Sequence, residues 1–321
     1  MMSKEFDIIN KYFTDFPQRS DVVLGIGDDA AILQPPKRHE LLITTDTLIS
    51  AVHFPEQTSA EAIGHKSLAV NLSDLAAMGA KPLWFTLALT LPEADSEWLN
   101  NFSKGLKKLA VRYQLALVGG DTTQGPLSIT IQACGCAPEG RAVRRSGANP
   151  GDDIYVTGSL GDAGLGLASV QDRIKLAAVD QVLCEKKLNY PEPRVSAGMG
   201  LLTLATAMID CSDGFAADLG HILKQSRAGA EVQIKNLPLT TAVQNYLKTQ
   251  NDGSLPLTAG DDFELIFTAA AENRSEISAV ADVLDCPITW VGKITKDSDF
   301  LLRQKNGELY SLKKTGYQHF E

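Results

Sequence analysis

Six segments of the chain set Asp beside Gly, Ser, Thr or another acid at the margin of an apolar run. They are Gly27-Asp28-Asp29, Thr44-Thr45-Asp46-Thr47, Asn71-Leu72-Ser73-Asp74, Gly119-Gly120-Asp121-Thr122, Ile209-Asp210-Cys211-Ser212-Asp213-Gly214 and Gly260-Asp261-Asp262-Phe263-Glu264. The acids divide into 24 Asp and 15 Glu, an excess of the shorter one, which is poor in helices and collects at turns, caps and metal sites. Loops at strand ends present their side chains to a common rim, and carboxylates gathered there repel one another and need cations. Ligands that are all oxygen, with no His or Cys interleaved, favour hard ions such as Mg2+ over Zn2+. Mg2+ keeps waters and shares its other positions with substrate phosphates, so the pattern points to a nucleotide or phosphorylated ligand. One Gly-Asp-Asp is an ordinary turn, but six such segments weaken the account that turns and caps explain them all.

Other chemistries fare worse. No twelve-residue Asp/Asn loop ending in Glu is present for Ca2+, and no Gly-x-x-x-x-Gly-Lys-Ser/Thr for a P-loop. Gly158-Ser159-Leu160-Gly161-Asp162-Ala163-Gly164-Leu165-Gly166 follows an apolar run and opens a helical one. Its spacing departs from the dinucleotide fingerprint, and helix–strand packing is as good an account as phosphate contact. There is no Gly-x-Ser-x-Gly elbow for a serine nucleophile. Of the five His, only His53, ahead of Phe54-Pro55, sits where a site is expected, and a structural His is the commoner outcome at such a position.

The elements that must position these residues read as alternating strands and helices. The patterning predicts a helix over 5–13, strands over 21–24, 31–33 and 41–49, a helix over 59–78 stopping at Gly79, and a strand over 84–91. An amphipathic helix over 96–113 precedes a strand, Leu115–Val118, that runs into Gly119-Gly120-Asp121-Thr122-Thr123, and another strand spans 127–136. A Gly-, Pro- and Arg-rich stretch over 138–153 is the best linker, dividing the chain near residue 148 into domains 1–148 and 149–321. The second begins with strand 154–157 and continues with helix near 193–206, strand 207–209, helix 214–225 and strand 265–268. A chain of 321 residues with 44% hydrophobic and 21% charged residues suits two globular α/β or α+β domains. The net charge of −9 argues against nucleic-acid binding, which needs basic surface. No apolar stretch is long enough to span a bilayer, the N-terminus has no signal-like apolar region, and five Cys without CxxC spacing suit reduced thiols in the cytoplasm.

In order and spacing, these segments resemble the thiamine-monophosphate kinase family. The matching stretches are Leu24–Ala31, Thr44–Thr47, His53-Phe54, the AVNLSDLAAMG of Ala69–Gly79, the GGDTTQGP of Gly119–Pro126, Arg145-Ser146-Gly147, Pro150-Gly151-Asp152, Ile209–Gly214 and Gly316-Tyr317. The resemblance covers nearly the whole chain and extends, more distantly, to the aminoimidazole ribonucleotide synthetase and selenophosphate synthetase superfamily. It implies a two-domain aminoimidazole ribonucleotide synthetase-like fold, homodimeric through a barrel of N-terminal strands. It also implies ATP-dependent conversion of thiamine monophosphate to thiamine diphosphate with several Mg2+. Carried over by motif, Asp29, Thr44, Thr45, Asp46, Asp74, Asp121, Asp210 and Asp213 match metal positions. Gly120, Asp121, Arg145 and Ser212 match ATP contacts, and His53, Asp261 and Tyr317 match substrate contacts. The family usually reads Gly-Gly-Glu-Asp-Tyr-Glu where this chain has Ala259-Gly260-Asp261-Asp262-Phe263-Glu264, so Asp261 keeps the charge on a shorter arm.

The chemistry is consistent with the residues. A phosphate acceptor is ionised at neutral pH, so no general base is needed and the obstacle is repulsion between polyanions. Two other readings compete: a sister enzyme that activates an amide or selenide with ATP, and a non-catalytic nucleotide- or metal-binding module. Selenophosphate synthetases carry a reactive Cys or selenocysteine near the N-terminus, whereas the first Cys here is Cys134.

Overall fold

A computed structural model describes residues 4–249 and 253–319. It falls into two units, the first running to Leu75 and over Ala80–Gly140, the second comprising Ala76–Gly79 and the chain from Arg141 onward.

The first unit contains α1 (Lys4–Tyr12), β1 (Val22–Leu24), β2 (Ile32–Leu33), β3 (His39–Ile49), α2 (Ala60–Ala77), β4 (Lys81–Leu91), α3 (Ser96–Tyr113), β5 (Ala116–Gln124) and β6 (Ser128–Pro138). Its main sheet has the order β3-β6-β4-β5, antiparallel except for the β4–β5 pair. α3 is amphipathic, burying Leu99, Phe102, Leu106 and Leu109, and its start is fixed by Asp95, which accepts a hydrogen bond from the Glu97 N–H at 2.8 Å. α2 is different, being buried along almost its whole length, Lys66, Ser67, Asn71 and Ser73 included; a helix apolar or small all round belongs in a core. The two helices cross with their backbones touching. A Cβ on Gly64 would lie 2.1 Å from the Phe102 carbonyl oxygen, and one on Gly105 would lie 1.9 Å from that of Glu61.

The sheet has two unlike faces. Leu42, Leu48, Phe85, Leu87, Leu89, Ile129, Ile131 and Ala133 are buried on one. On the other, Trp84, Ala116, Val118 and Cys136 pack against Val22, Ala31 and Leu33 near β1 and β2. The rest of that second face carries Leu41, Ile43 and Ile49, which are 42%, 58% and 43% exposed.

The second unit contains β7 (Asp153–Thr157), α4 (Asp162–Val170), α5 (Ala178–Asn189), α6 (Val195–Leu201), β8 (Ala205–Asp210), α7 (Phe215–Ser226), β9 (Gly229–Gln233), α8 (Thr241–Thr249), α9 (Leu255–Thr258), β10 (Leu265–Ala269), α10 (Arg274–Leu284), β11 (Ile288–Thr295) and β12 (Phe300–Arg303). Its sheet has the order β12-β9-β11-β7-β10-β8, parallel only between β12 and β9. Phe215, Leu219 and Ile222 of α7 join Ile154, Val156, Ile209 and Ile266 in its core. β8 and β10 run antiparallel with Asp210 opposite Leu265, so the loops 211–214 and 260–264 leave the same sheet edge.

Two expectations change. Gly119 to Gln124 continues β5 as regular strand, paired with Thr86 to Leu91 of β4, because parallel pairing overrides the turn character of Gly-Gly-Asp. The helix expected near 193–206 is short, Val195–Leu201, and the following residues turn directly into β8.

Candidate functional site

In the first unit, Asp28 and Asp29 apart, the candidate acidic residues occupy the body of the sheet and the helix beside it, not the strand ends. Thr44, Thr45 and Asp46 sit mid-strand in β3, Asp121 lies inside β5 and Asp74 lies in the last turn of α2. Alternation along β3 then sorts them. Thr44 and Asp46 share the face of buried Leu42 and Leu48, where the Thr44 hydroxyl hydrogen-bonds to the Asp74 carboxylate. Thr45 points to the other face, with Thr47. Across the sheet Thr47 pairs with Thr130, then Ala88, then Asp121, and the Thr47 and Thr130 hydroxyls lie 2.9 Å apart, so Asp121 shares the face of Thr45. Gly120 pairs with Leu87 and follows the Asp46 face.

Asp46 is the electrostatic focus of this unit. Its Oδ2 is buried without a hydrogen-bond partner. Burial, reinforced by the charge of Asp74, raises its carboxyl from 3.8 to about 7. Two like charges with an unsatisfied buried oxygen fit a hard cation whose remaining positions are filled by water and phosphate oxygens. Among the described residues no three His, Cys, Asp or Glu side chains gather closely enough to hold a metal by themselves. Asp29 is exposed in the turn between β1 and β2, its N–H donating to the Asp28 carboxylate at 2.9 Å.

His53 lies in the turn after β3. Its ring Nδ1 accepts the Ile49 N–H at 3.0 Å, which places the proton of the neutral ring on Nε2. The buried Lys66 of α2, unremarked in the sequence, donates from Nζ to the His53 carbonyl at 3.2 Å and fixes that turn from below.

In the second unit, backbone hydrogen bonds gather Ser212, Asp213, Asp261 and Tyr317. The Asp261 N–H donates to the Ser212 carbonyl at 2.9 Å, the Phe263 N–H to Cys211 at 2.8 Å and the Tyr317 N–H to Asp213 at 3.0 Å. Asp210 is buried at the end of β8. Asp218, four residues into α7, accepts the Asp213 and Gly214 N–H groups at 3.1 Å each and closes the helix start from inside. Burial, then the charge of Asp213, raises the Asp218 carboxyl to about 7. Arg145 is exposed, and its carbonyl accepts the Ser226 hydroxyl at 3.4 Å. The Gly-rich loop after β7 takes the packing role. The first N–H groups of α4, from Gly161 at 2.7 Å and Ala163 at 3.4 Å, point at Asp262, and the Ser159 N–H points at Glu264, so this chain's own carboxylates occupy the place a phosphate would take.

The sequence reading missed Lys66, Asp218 and Arg194. Asp218 had a local signal, an acid in the first turn of a helix that follows Asp-Gly. Arg194 had none, since its partner Glu264 lies 70 residues away.

An oxygen-donor pair on a mixed sheet in one unit, and Asp-bearing loops on a shared sheet edge in the other, define the class. The N-terminal domain of AIR synthase related protein matches residues 27–137, and the C-terminal domain matches 149–303. Thiamine-monophosphate kinase from Escherichia coli (strain K12) is 44% identical over 322 residues, covering 100% of this chain and 99% of its own length. Its counterpart from Bacillus subtilis (strain 168) is 33% identical over 99% of both chains. The crystal structure of thiamine-monophosphate kinase from Stenotrophomonas maltophilia K279a superposes with a TM-score of 0.84 at 45% identity, covering 91% of this chain and 93% of that one. A structure of AaThiL complexed with AMPPCP and TMP gives 0.79 at 28% identity, covering 92% of each chain. The chain belongs to the thiamine-monophosphate kinase family, within the AIR synthase related proteins, and it is a kinase.

Proposed function

We propose that the protein transfers the γ-phosphoryl group of ATP directly and in line to the phosphate of thiamine monophosphate, with several Mg2+ ions, yielding thiamine diphosphate. The buried, partnerless oxygen of Asp46 beside Asp74 carries this reading. The choice of ATP and thiamine monophosphate is supported by the relatives' names and by the AMPPCP and TMP of AaThiL. Asp29, Thr44, Thr45, Asp46, Asp74, Asp121, Asp210 and Asp213 would hold the metal ions. When bound, Mg2+ would neutralise the approaching phosphates and the charge that develops between them.

The protein's own groups do the rest. Gly120, Asp121, Arg145 and Ser212 serve ATP, the Arg145 guanidinium being suited to two phosphate oxygens at once. The Nε2–H of His53 is a donor for the acceptor phosphate. Asp261 and the ring of Tyr317 suit a cationic thiazolium. No side chain has to remove a proton from the acceptor, because its phosphate is already ionised. We assign dimerisation and most of the ATP and metal contacts to 1–148, while the α/β portion, 149–321, carries Asp210, Ser212 and Asp213. The row Leu41, Ile43 and Ile49 offers a second copy of the chain an apolar strand face, and a cytoplasmic setting is supported by five unpaired Cys.

Measuring ATP consumption with thiamine monophosphate, without acceptor, and with and without Mg2+ tests the reading. Consumption independent of the acceptor overturns it in favour of a sister activity, and none at all in favour of a binding module. Sedimentation of Ile43→Lys against the unaltered chain tests the dimer; equal mass for both counts against that face.

A further inference from the structure

The segment 260–264 is pinned at Asp261 itself, whose N–H donates to the Ser212 carbonyl at 2.9 Å, and at two residues beyond it. Asp262 reaches the start of α4 as described above. Glu264, 2% exposed, accepts the Thr157 hydroxyl at 2.8 Å and the Arg194 guanidinium through Nε at 2.5 Å and Nη2 at 2.6 Å. Its own carbonyl accepts the Cys211 N–H at 2.7 Å. A Cβ on Gly158, itself at φ 57°, would lie 1.9 Å from Glu264 Oε1, so the carboxylate needs bare backbone there.

Along this segment the backbone is strained. Asp261 is left-handed at φ 68° and Phe263 at φ 49°. Such a residue persists in this conformation only where its surroundings over-determine it, the aromatic more so than the Asp. A bulky aromatic has no side-chain reason to accept the conformation, so Phe263 is held there by its N–H bond to the Cys211 carbonyl at 2.8 Å and by the anchors at Asp262 and Glu264 on either side. The charged one among these is the ion pair, with side chains 15% exposed at Arg194 and 3% at Glu264. A buried pair of this kind adds little to stability over apolar residues of the same volume; what it supplies is a fixed geometry.

We propose that Arg194 is a positioning residue for the acceptor, acting through Glu264 to hold Asp261 in the left-handed conformation that aims its carboxylate. The inference rests on the acceptor role assigned to Asp261 above. Arg194 belongs to the turn before α6 and reaches Glu264 from outside the loop, so it fixes the far end of the segment without being part of it.

The test is a double-mutant cycle with Arg194→Lys and Asp261→Ala, measuring KM for thiamine monophosphate and for ATP separately. Lys keeps the charge and loses the two-pronged grip. The expected result for Arg194→Lys is an acceptor KM raised about tenfold with the ATP KM within about twofold, since small misplacements of a binding group are costly. In the Asp261→Ala background the same change should add nothing to the acceptor KM. Gly158→Ala, which displaces Glu264 from the other side, should reproduce the acceptor-selective effect and guards against a poorly folded Arg194 variant. Parallel rises in both KM values, or an equal added effect with and without Asp261, overturn the proposal in favour of a purely structural pair. An unchanged acceptor KM in an active Arg194→Lys enzyme overturns it while the kinase reading stands. Absence of thiamine monophosphate turnover in the unaltered protein overturns both.

Discussion

Replacing Asp46 by Asn should make the metal-free protein more stable at pH 8 and leave it no more stable at pH 4. The carboxyl is raised from 3.8 to about 7. At about 1.4 kcal/mol per unit this sets a ceiling of about 4 kcal/mol; the side chain keeps some contact with solvent, which lowers the figure to roughly 2 kcal/mol. The sign follows from linkage. An acid whose pKa is raised by folding contributes fully below its unfolded value, and that contribution is lost as pH rises through about 7. The unaltered protein in EDTA should therefore lose stability between about pH 4 and pH 7 relative to Asp46→Asn and hold a constant deficit above. With roughly 2–4 °C per kcal/mol for a chain segment of this size, the difference in Tm at pH 8 is about 4–8 °C. The new amide adds an offset that does not vary with pH, so the quantity read from thermal melts is the change in the difference across the range. Other titrating groups, Asp218 among them, cancel in the comparison. With the proposed metal role for Asp46 and Asp74, adding Mg2+ at pH 8 should raise the Tm of the unaltered protein and close the gap, the cation then taking the deprotonated pair. Parallel pH profiles for the two proteins in EDTA would refute the argument from burial and like charge.

Asp74→Asn and Asp121→Asn should each abolish nearly all turnover while leaving the melting transition in place, because the amide keeps the volume and loses only charge; near-normal turnover at saturating Mg2+ removes that residue from the metal set. Tyr317, 50% exposed at the chain's end, should when changed to Ala raise the KM for thiamine monophosphate more than that for ATP, and equal effects would reduce the segment to packing. Incubation with γ-labelled ATP and Mg2+ alone should leave no label on the denatured protein, as the proposed direct transfer requires; stoichiometric label that chases into thiamine diphosphate counts against it. Phe215→Ala, in the core of the second unit with no exposed surface, should destabilise by about 3–5 kcal/mol in denaturant melts.

Much of the scaffold could be read from pattern because its signals are local. The helix over 96–113 is bounded as expected, with a cap from Asp95 and an apolar stripe of Leu99, Phe102, Leu106 and Leu109. The burial of α2 on all sides was not legible, since periodicity reports one face and says nothing about a second layer over the polar positions Ser67, Asn71 and Ser73. The acidic residues were recognised by type, but their placement was misjudged. Gly119-Gly120-Asp121 carries turn chemistry and is held extended only by pairing with β4, a non-local contact. The Gly-rich loop after β7 was ambiguous for the same reason: its N–H groups are claimed by Asp262 and Glu264, about a hundred residues on. Ion pairs such as Arg194–Glu264 join residues of unrelated spacing and have no signature in the sequence.

Strand β3 addresses both faces of its sheet at once, with Thr44 and Asp46 on one and Thr45 on the other, and this makes it a frame-sensitive part of the gene product. A one-residue insertion or deletion in the strand between Leu42 and Thr44 would exchange the faces, turning Asp46 outward and burying Thr45 against Asp74. A two-residue change would preserve parity and shift the residues only along the strand. Point substitutions at Leu41 or Ile43, by contrast, leave the phase untouched. Among natural variants of this chain, length changes within β3 should therefore be rarer than substitutions there, and those that do occur should come in even steps.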